Sequence, residues 1–294
     1  MSVTIRQIHA GFVGEVDGID DREPLDPRDV AAIESGMDRY AVLIFHDQPI
    51  TDEQQIAFTR NFGTIERAIG NGIAHAQGRR LSTEMADVSN LAENNRIFAR
   101  DDRRRLFELA NRLWHSDSSF RVVPAKFSLL SARALPATGG NTEFADMRAA
   151  YDALDVATQA EIADLICEHS LLYSRSLLGF TEFTEEERAR FAPVRQRLVR
   201  THPVTGRKSL FLSCHAGSIV GWPLPEARAF LRDLIEHATQ REFVHVHEWR
   251  LQDLVIWDNR QTMHRVRRFD DVHEIRDMRR TTIVGDGPTA AQMT

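Results

Sequence analysis

Asn111-Arg112-Leu113-Trp114-His115-Ser116-Asp117-Ser118-Ser119-Phe120 sets an imidazole and a carboxylate two residues apart, at His115 and Asp117. Extended backbone sends alternate side chains to opposite faces, so residues i and i+2 point the same way. Both groups can therefore reach one metal ion from a single strand end. A second histidine would complete a facial set of three. His264 fits best, following Trp257-Asp258-Asn259-Arg260 after the apolar run Asp253-Leu254-Val255-Ile256. Two histidines and one carboxylate on one face of an octahedral metal leave positions open, the arrangement of non-haem iron(II) oxygenases. His-x-Asp is short enough to recur by chance, so its weight depends on what surrounds it.

Downstream of this stretch short strands dominate. Phe127 to Ala134 reads as a strand, broken at Pro136-Ala137-Thr138-Gly139-Gly140 and resumed at Asn141-Thr142-Glu143-Phe144. Leu198 to Pro203 and Lys208 to Ser213 pair as a hairpin over Val204-Thr205-Gly206-Arg207. Further strands are expected over 242–249, 252–258 and 278–284. Helices are expected over 145–154, 158–167 with Asp155 as cap, and 225–239. Upstream, Asp26-Pro27 has the cap-then-proline order that opens a helix. Tyr40 to Phe45 is a buried strand, and Thr51 opens a second helix. Residues 66–110 break the pattern with Gly70, Gly72, Gly78 and the charge run Asp101 to Arg105. A long irregular segment leading straight into His115 reads as an active-site lid. The whole, residues 1–294, is expected to be one domain, mainly β with flanking helices, a double-stranded β-helix or jelly roll.

Composition narrows the function. With 42% hydrophobic and 27% charged residues the chain has the make-up of a globular protein. A formal net charge of −6 argues against binding nucleic acid through phosphates. No run approaches a membrane span and the start has no apolar leader, so the expectation is a cytoplasmic protein with no membrane partner. Cys167 and Cys214 stand apart, in no disulfide or zinc pattern. Lysine occurs only at Lys126 and Lys208, so an anion in a pocket falls to arginine and its planar fork. His245 and His247 are also two apart in a strand, but no partner motif surrounds them and they read as strand residues. His46, His75, His169, His202, His215 and His237 read as ordinary polar residues rather than ligands. Trp114 and Trp257 read first as core, with a pocket-wall role open to them beside the ligands.

Several segments together resemble the Fe(II)- and 2-oxoglutarate-dependent taurine/2,4-dichlorophenoxyacetate dioxygenase family, and within it the 2,4-dichlorophenoxyacetate dioxygenases. They are Trp114 to Phe120, Gly139 to Tyr151, Glu236 to Phe243, Trp257-Asp258-Asn259-Arg260 and Arg276-Asp277-Met278-Arg279-Arg280. The resemblance implies His115, Asp117 and His264 as iron ligands, and Thr142 and Arg276 as partners of the distal carboxylate of 2-oxoglutarate. Asn111 stands where an amide lies near the co-substrate. Arg280, with backbone near Ser118, would hold the substrate's carboxylate, and Arg279 would face away. The implied reaction converts 2-oxoglutarate and O2 to succinate and CO2 while hydroxylating the carbon next to the carboxylate of an aryloxyalkanoate. An aryloxyacetate would then give a phenol and glyoxylate. Alternatives are the same chemistry on a sulfonate or alkyl sulfate, on another small carboxylate, or a metal-binding jelly roll without oxygenase activity. The expected partner is thus a small anionic organic molecule, and the family suggests a homo-oligomer. Between Gly63 and Trp114 there is no lysine to assist the substrate carboxylate, which leaves Arg79, Arg80 or Arg96 as substitutes.

Overall fold

The computed structural model describes residues 3–68 and 79–291; Gly70, Gly72, His75 and Gly78 lie outside the described residues. The first part runs β1 (Thr4–Gln7), β2 (Gly14–Asp17), α1 (Pro27–Tyr40), β3 (Val42–Phe45), α2 (Asp52–Arg60), β4 (Ala86–Ser89) and α3 (Arg103–Glu108). The middle follows with β5 (Ala125–Ala134), β6 (Thr142–Asp146), α4 (Met147–Asp152), α5 (Val156–Ile162), β7 (Ile166–His169), α6 (Leu171–Ser176) and α7 (Glu185–Arg190). Then come β8 (Val194–Arg197), β9 (Val199–Thr201), β10 (Lys208–Leu210), β11 (Ala216–Ile219) and α8 (Leu224–Ala238). β12 (Val244–His247), β13 (Leu254–Asp258), β14 (Thr262–Val266) and β15 (Asp277–Val284) complete the strands.

The sequence signals act as expected at the helix starts. Asp26 accepts from the Arg28 amide before α1, Thr51 and Gln54 form a reciprocal capping box on α2, and Asp155 caps α5. A seven-stranded sheet in the order β1-β2-β3-β13-β5-β15-β4 faces a smaller sheet, β12-β6-β14. The facing is visible in the packing: Val42, Ile44, Leu130, Val255 and Trp257 of the large sheet share one apolar cluster with Phe144 of β6. Leu43, Phe45, Leu129, Leu254 and Ile256 point the other way, into a second cluster with Ile33 and Met37 of α1 and Phe58 of α2. Strand period 2 thus splits each central strand between the two layers. This is the jelly roll with flanking helices.

The same alternation sorts β15. Arg279 goes to the helix side, where it pairs with Asp52 of α2, while Met278, Arg280 and Thr282 face the space between the sheets. Part of the 66–110 segment belongs to the framework: β4 pairs antiparallel with β15, from Asp277↔Ser89 to Arg280↔Ala86. The expected hairpin forms between β9 and β10. Cys167 and Cys214 are both buried and free. No helix among the described residues is long and apolar enough to cross a membrane.

Candidate active site

His115 and His264 are brought together by the backbone itself. Their amides and carbonyls exchange two hydrogen bonds, 3.0 Å and 2.8 Å, in an isolated antiparallel bridge at the middle of β14. Their rings lie 4.2 Å apart, centroid to centroid. Asp117 completes the set: its carboxylate oxygens are 4.0 Å from His115 Nε2 and 3.8 Å from His264 Nε2. One ligand atom from each residue lies within 4.8 Å of the other two, spacing that suits one shared ion.

The protonation states suit a cation. Burial lowers the pKa of His115 and carries that of His264 well below the ordinary value, so both imidazoles are neutral and offer a lone pair. His115 Nδ1 lies 2.7 Å from the Leu113 carbonyl and donates to it, which leaves Nε2 bare on the side of Asp117. Burial alone would raise the Asp117 carboxyl, but its neighbours, the Arg280 guanidinium first among them, outweigh it and hold it at about 2. Asp117 is fixed by neighbours: its Oδ2 accepts from Ser128 Oγ of β5 at 2.7 Å, and its Oδ1 from Arg280. Asn259 accepts from the Asp117 amide at 2.9 Å and donates to Ser128 Oγ at 3.0 Å. Ser128 and Asn259 therefore orient the carboxylate. Sequence reading passed over Ser128, a small polar residue inside an apolar strand.

A second feature lies beside the first. Arg276 is 4% exposed, and burial pulls its guanidinium down to about 10. Its Nε donates to the Gly140 carbonyl at 3.2 Å, and it makes no ion pair with any described carboxylate. A buried cation of this kind is stable only with an anion to pair it. It shares a small cavity with Thr142, Asn111, His115 and His264. Thr142 Oγ1 accepts from Trp249 Nε1 at 2.9 Å. An anion in this cavity would pair the Arg276 guanidinium beside His115 and His264. His115, His264, Thr142, Arg276 and Asn111 all line this cavity, although the Asn111 amide is itself engaged by Glu108 at 2.6 Å. Trp257 forms part of the wall, with its ring 4.6 Å from that of His264.

A larger cavity opens on the other side of His115 and Asp117, lined by Phe107, Phe120, Leu171, Arg175, His215 and Arg280, among others. Ser118 lies there with φ +55, and its hydroxyl donates to Glu66 at 2.8 Å. One expectation needs correction. Arg80 is committed to Asp87 and Asp277, and Arg79 to the carbonyls of Leu81, Ser82 and Met85, so neither serves as a pocket cation; Arg96 does not line this cavity. His215, read as no ligand, stands outside the His115–Asp117–His264 set, but its ring lines the cavity, 4.9 Å from Phe120 and 6.4 Å from His115. His247, by contrast, sits on the edge strand β12 and pairs with Asp253 at 3.1 Å, away from the metal set.

Comparison with known proteins agrees with this geometry. Residues 4–282 match the family described as taurine catabolism dioxygenase TauD, TfdA family. The chain is 46% identical over 286 residues to an alpha-ketoglutarate-dependent 2,4-dichlorophenoxyacetate dioxygenase of Cupriavidus pinatubonensis, covering 97% of this chain and 99% of that protein. It is 37% identical over 257 residues to an (S)-phenoxypropionate/alpha-ketoglutarate-dioxygenase of Delftia acidovorans, covering 84% and 83%. The crystal structure of AAD-2 in complex with Mn(II) and N-oxalylglycine superposes with a TM-score of 0.96 at 62% identity, over 98% of this chain and 100% of that one.

Proposed function

The chain belongs to the taurine catabolism dioxygenase TauD, TfdA family, and from that membership we propose that it hydroxylates the carbon next to the carboxylate of an aryloxyalkanoate such as 2,4-dichlorophenoxyacetate. It is a 2-oxoglutarate-dependent dioxygenase, with Fe(II) as its metal and O2 as the second co-substrate. Bound iron supplies the oxidising chemistry, in which 2-oxoglutarate and O2 yield succinate and CO2 and one oxygen atom enters the substrate. With an aryloxyacetate the hydroxylated product is a hemiacetal, which breaks to a phenol and glyoxylate.

The remaining steps fall to the protein's own groups. His115, Asp117 and His264 hold the metal, with Ser128 and Asn259 fixing the carboxylate's angle. Arg276 and the Thr142 hydroxyl take the far carboxylate of 2-oxoglutarate, and Asn111 borders the same cavity. Arg280 and Ser118 line the larger cavity with His115 and Asp117, where Arg280 keeps an unpartnered Nε for the substrate's carboxylate. Phe107, Phe120 and Leu171 offer the aryl group an apolar wall and keep water from the reacting carbon. Fixing the carboxylate sets which carbon meets the oxidant.

The observation that carries this reading is Arg276, a buried cation with no described counter-ion in the cavity that also holds His115 and His264. The test is product analysis with Fe(II), 2-oxoglutarate and 2,4-dichlorophenoxyacetate, expecting phenol, glyoxylate and succinate in equal amounts. His115→Ala should abolish all three, and Arg276→Ala should weaken 2-oxoglutarate affinity by about tenfold or more. Succinate formed with taurine or hexyl sulfate but with no phenoxyacetate would overturn the substrate assignment.

A further inference from the structure

Arg175 lies on the buried side of α6, within a stretch that nothing in the local sequence marks as functional. It is 6% exposed and lines the larger cavity together with His115, Asp117 and Arg280. Its guanidinium stacks over Phe107, 4.2 Å from the ring centroid. Nη1 donates to Ser174 Oγ at 3.1 Å, which fixes one edge of the fork. Nε, on the other edge with Nη2, has no partner among the described residues. That Nε–Nη2 edge presents two parallel N–H groups, the geometry that takes a carboxylate in a bidentate grip.

Charge points the same way. Arg175 makes no ion pair among the described residues, and burial draws its pKa down. Glu108 acts on it through space but is itself held by the Asn111 amide at 2.6 Å. The cavity's other arginine is in a different state, because Arg280 already donates to Asp117 and its charge is matched there. An anion entering the cavity thus meets one guanidinium already bonded to a carboxylate and one whose Nε–Nη2 edge is open, with Glu108 acting on it only through space. A fully buried cation is costly unless something pairs it.

We propose that Arg175 is a second anchor for the substrate's carboxylate, acting with Arg280, and that it is the residue that makes the cavity select an anion. This rests on the aryloxyalkanoate reading above. Phe107 sets the plane of the fork and Ser174 its rotation, so Arg175 is held ready before the substrate arrives.

The test compares 2,4-dichlorophenoxyacetate with its neutral primary amide, by calorimetric titration into protein holding Fe(II) and 2-oxoglutarate without oxygen. In Arg175→Met the acid should bind about 10- to 100-fold more weakly while the amide changes by less than about twofold. Arg175→Lys, which keeps the charge and loses the fork, should fall between. The absorption of the 2-oxoglutarate chelate reports whether each variant is folded. Equal weakening of acid and amide would make Arg175 a packing residue and overturn the proposal, as would an undiminished preference for the acid in Arg175→Met. Should the unaltered protein bind neither acid nor amide while still forming the chelate, the aryloxyalkanoate reading falls and takes this one with it.

Discussion

The hydroxyl of Thr142 carries one proton and Trp249 Nε1 can only donate, so the 2.9 Å contact between them fixes Thr142 as acceptor on that side. Its own proton is then free for an acceptor in the cavity it shares with Arg276. Trp249 is a positioning residue for the co-substrate, and a double-mutant cycle tests this. Trp249→Phe should raise KM for 2-oxoglutarate about 3- to 10-fold, the worth of one hydrogen bond, and should have no further effect in a Thr142→Val background. Additive effects would mean that the indole only packs, as its edge-on contact with His247 at 4.6 Å would allow. At this scale the sequence told much about the metal set, because His115 and Asp117 sit two apart and His264 follows a recognisable strand. Thr142 and Arg276 were legible only through family resemblance. Arg175, Ser128 and Trp249 were not legible at all, since a polar residue that turns inward leaves no periodic trace.

Elements decide whether those residues meet. The turn before β6 does so for Arg276: Gly140 has φ +71, and its carbonyl accepts from Arg276 Nε. A Cβ there would lie 3.3 Å from Arg276 Cδ and Nε and 3.2 Å from Pro136. Gly140→Ala should therefore cost about 1–2 kcal/mol of stability from the left-handed backbone and also weaken 2-oxoglutarate binding by moving Arg276. Gly179→Ala is the comparison, with φ +79 and nothing within 4 Å of an added Cβ. It should show the backbone cost in a denaturant melt and leave 2-oxoglutarate affinity as it was. Equal 2-oxoglutarate affinities in the two variants would show that the turn does not place Arg276. Central strands such as β13 were legible because their apolar runs are long and bounded. Edge strand β4 was not: it is half-buried Ala-Asp-Val-Ser, and only its pairing with β15 makes it a strand. Pairing of β3 with β13, from Phe45↔Leu254 to Val42↔Trp257, joins segments far apart in sequence and carries no local signature.

Over the whole molecule, buried ionisable groups set how stability follows pH, and two of them pull in opposite directions. Burial alone would raise Asp258, but Arg260 and His202 outweigh it and hold the carboxyl well below the usual carboxylate range. Its folded value is depressed, so its contribution is present above the unfolded carboxylate value of about 4 and is lost as pH falls through the folded one. Asp21 is the reverse case. It is 2% exposed, neither carboxylate oxygen has a partner among the described residues, and burial pushes it up to about 8. A raised acid favours the fold fully below the unfolded value and penalises it increasingly as pH rises, up to the folded value. At pH 7 the penalty is on the order of 2–4 kcal/mol, reduced by whatever the local structure yields. Asp21→Asn removes the titration and keeps the shape. The variant should melt higher than the parent at pH 7, and the gap should close as pH is lowered through about 4 toward about 3, where Asp21 is largely protonated in both states. A gap independent of pH would show that Asp21 is ionised and solvated in the folded protein, with its oxygens satisfied by water.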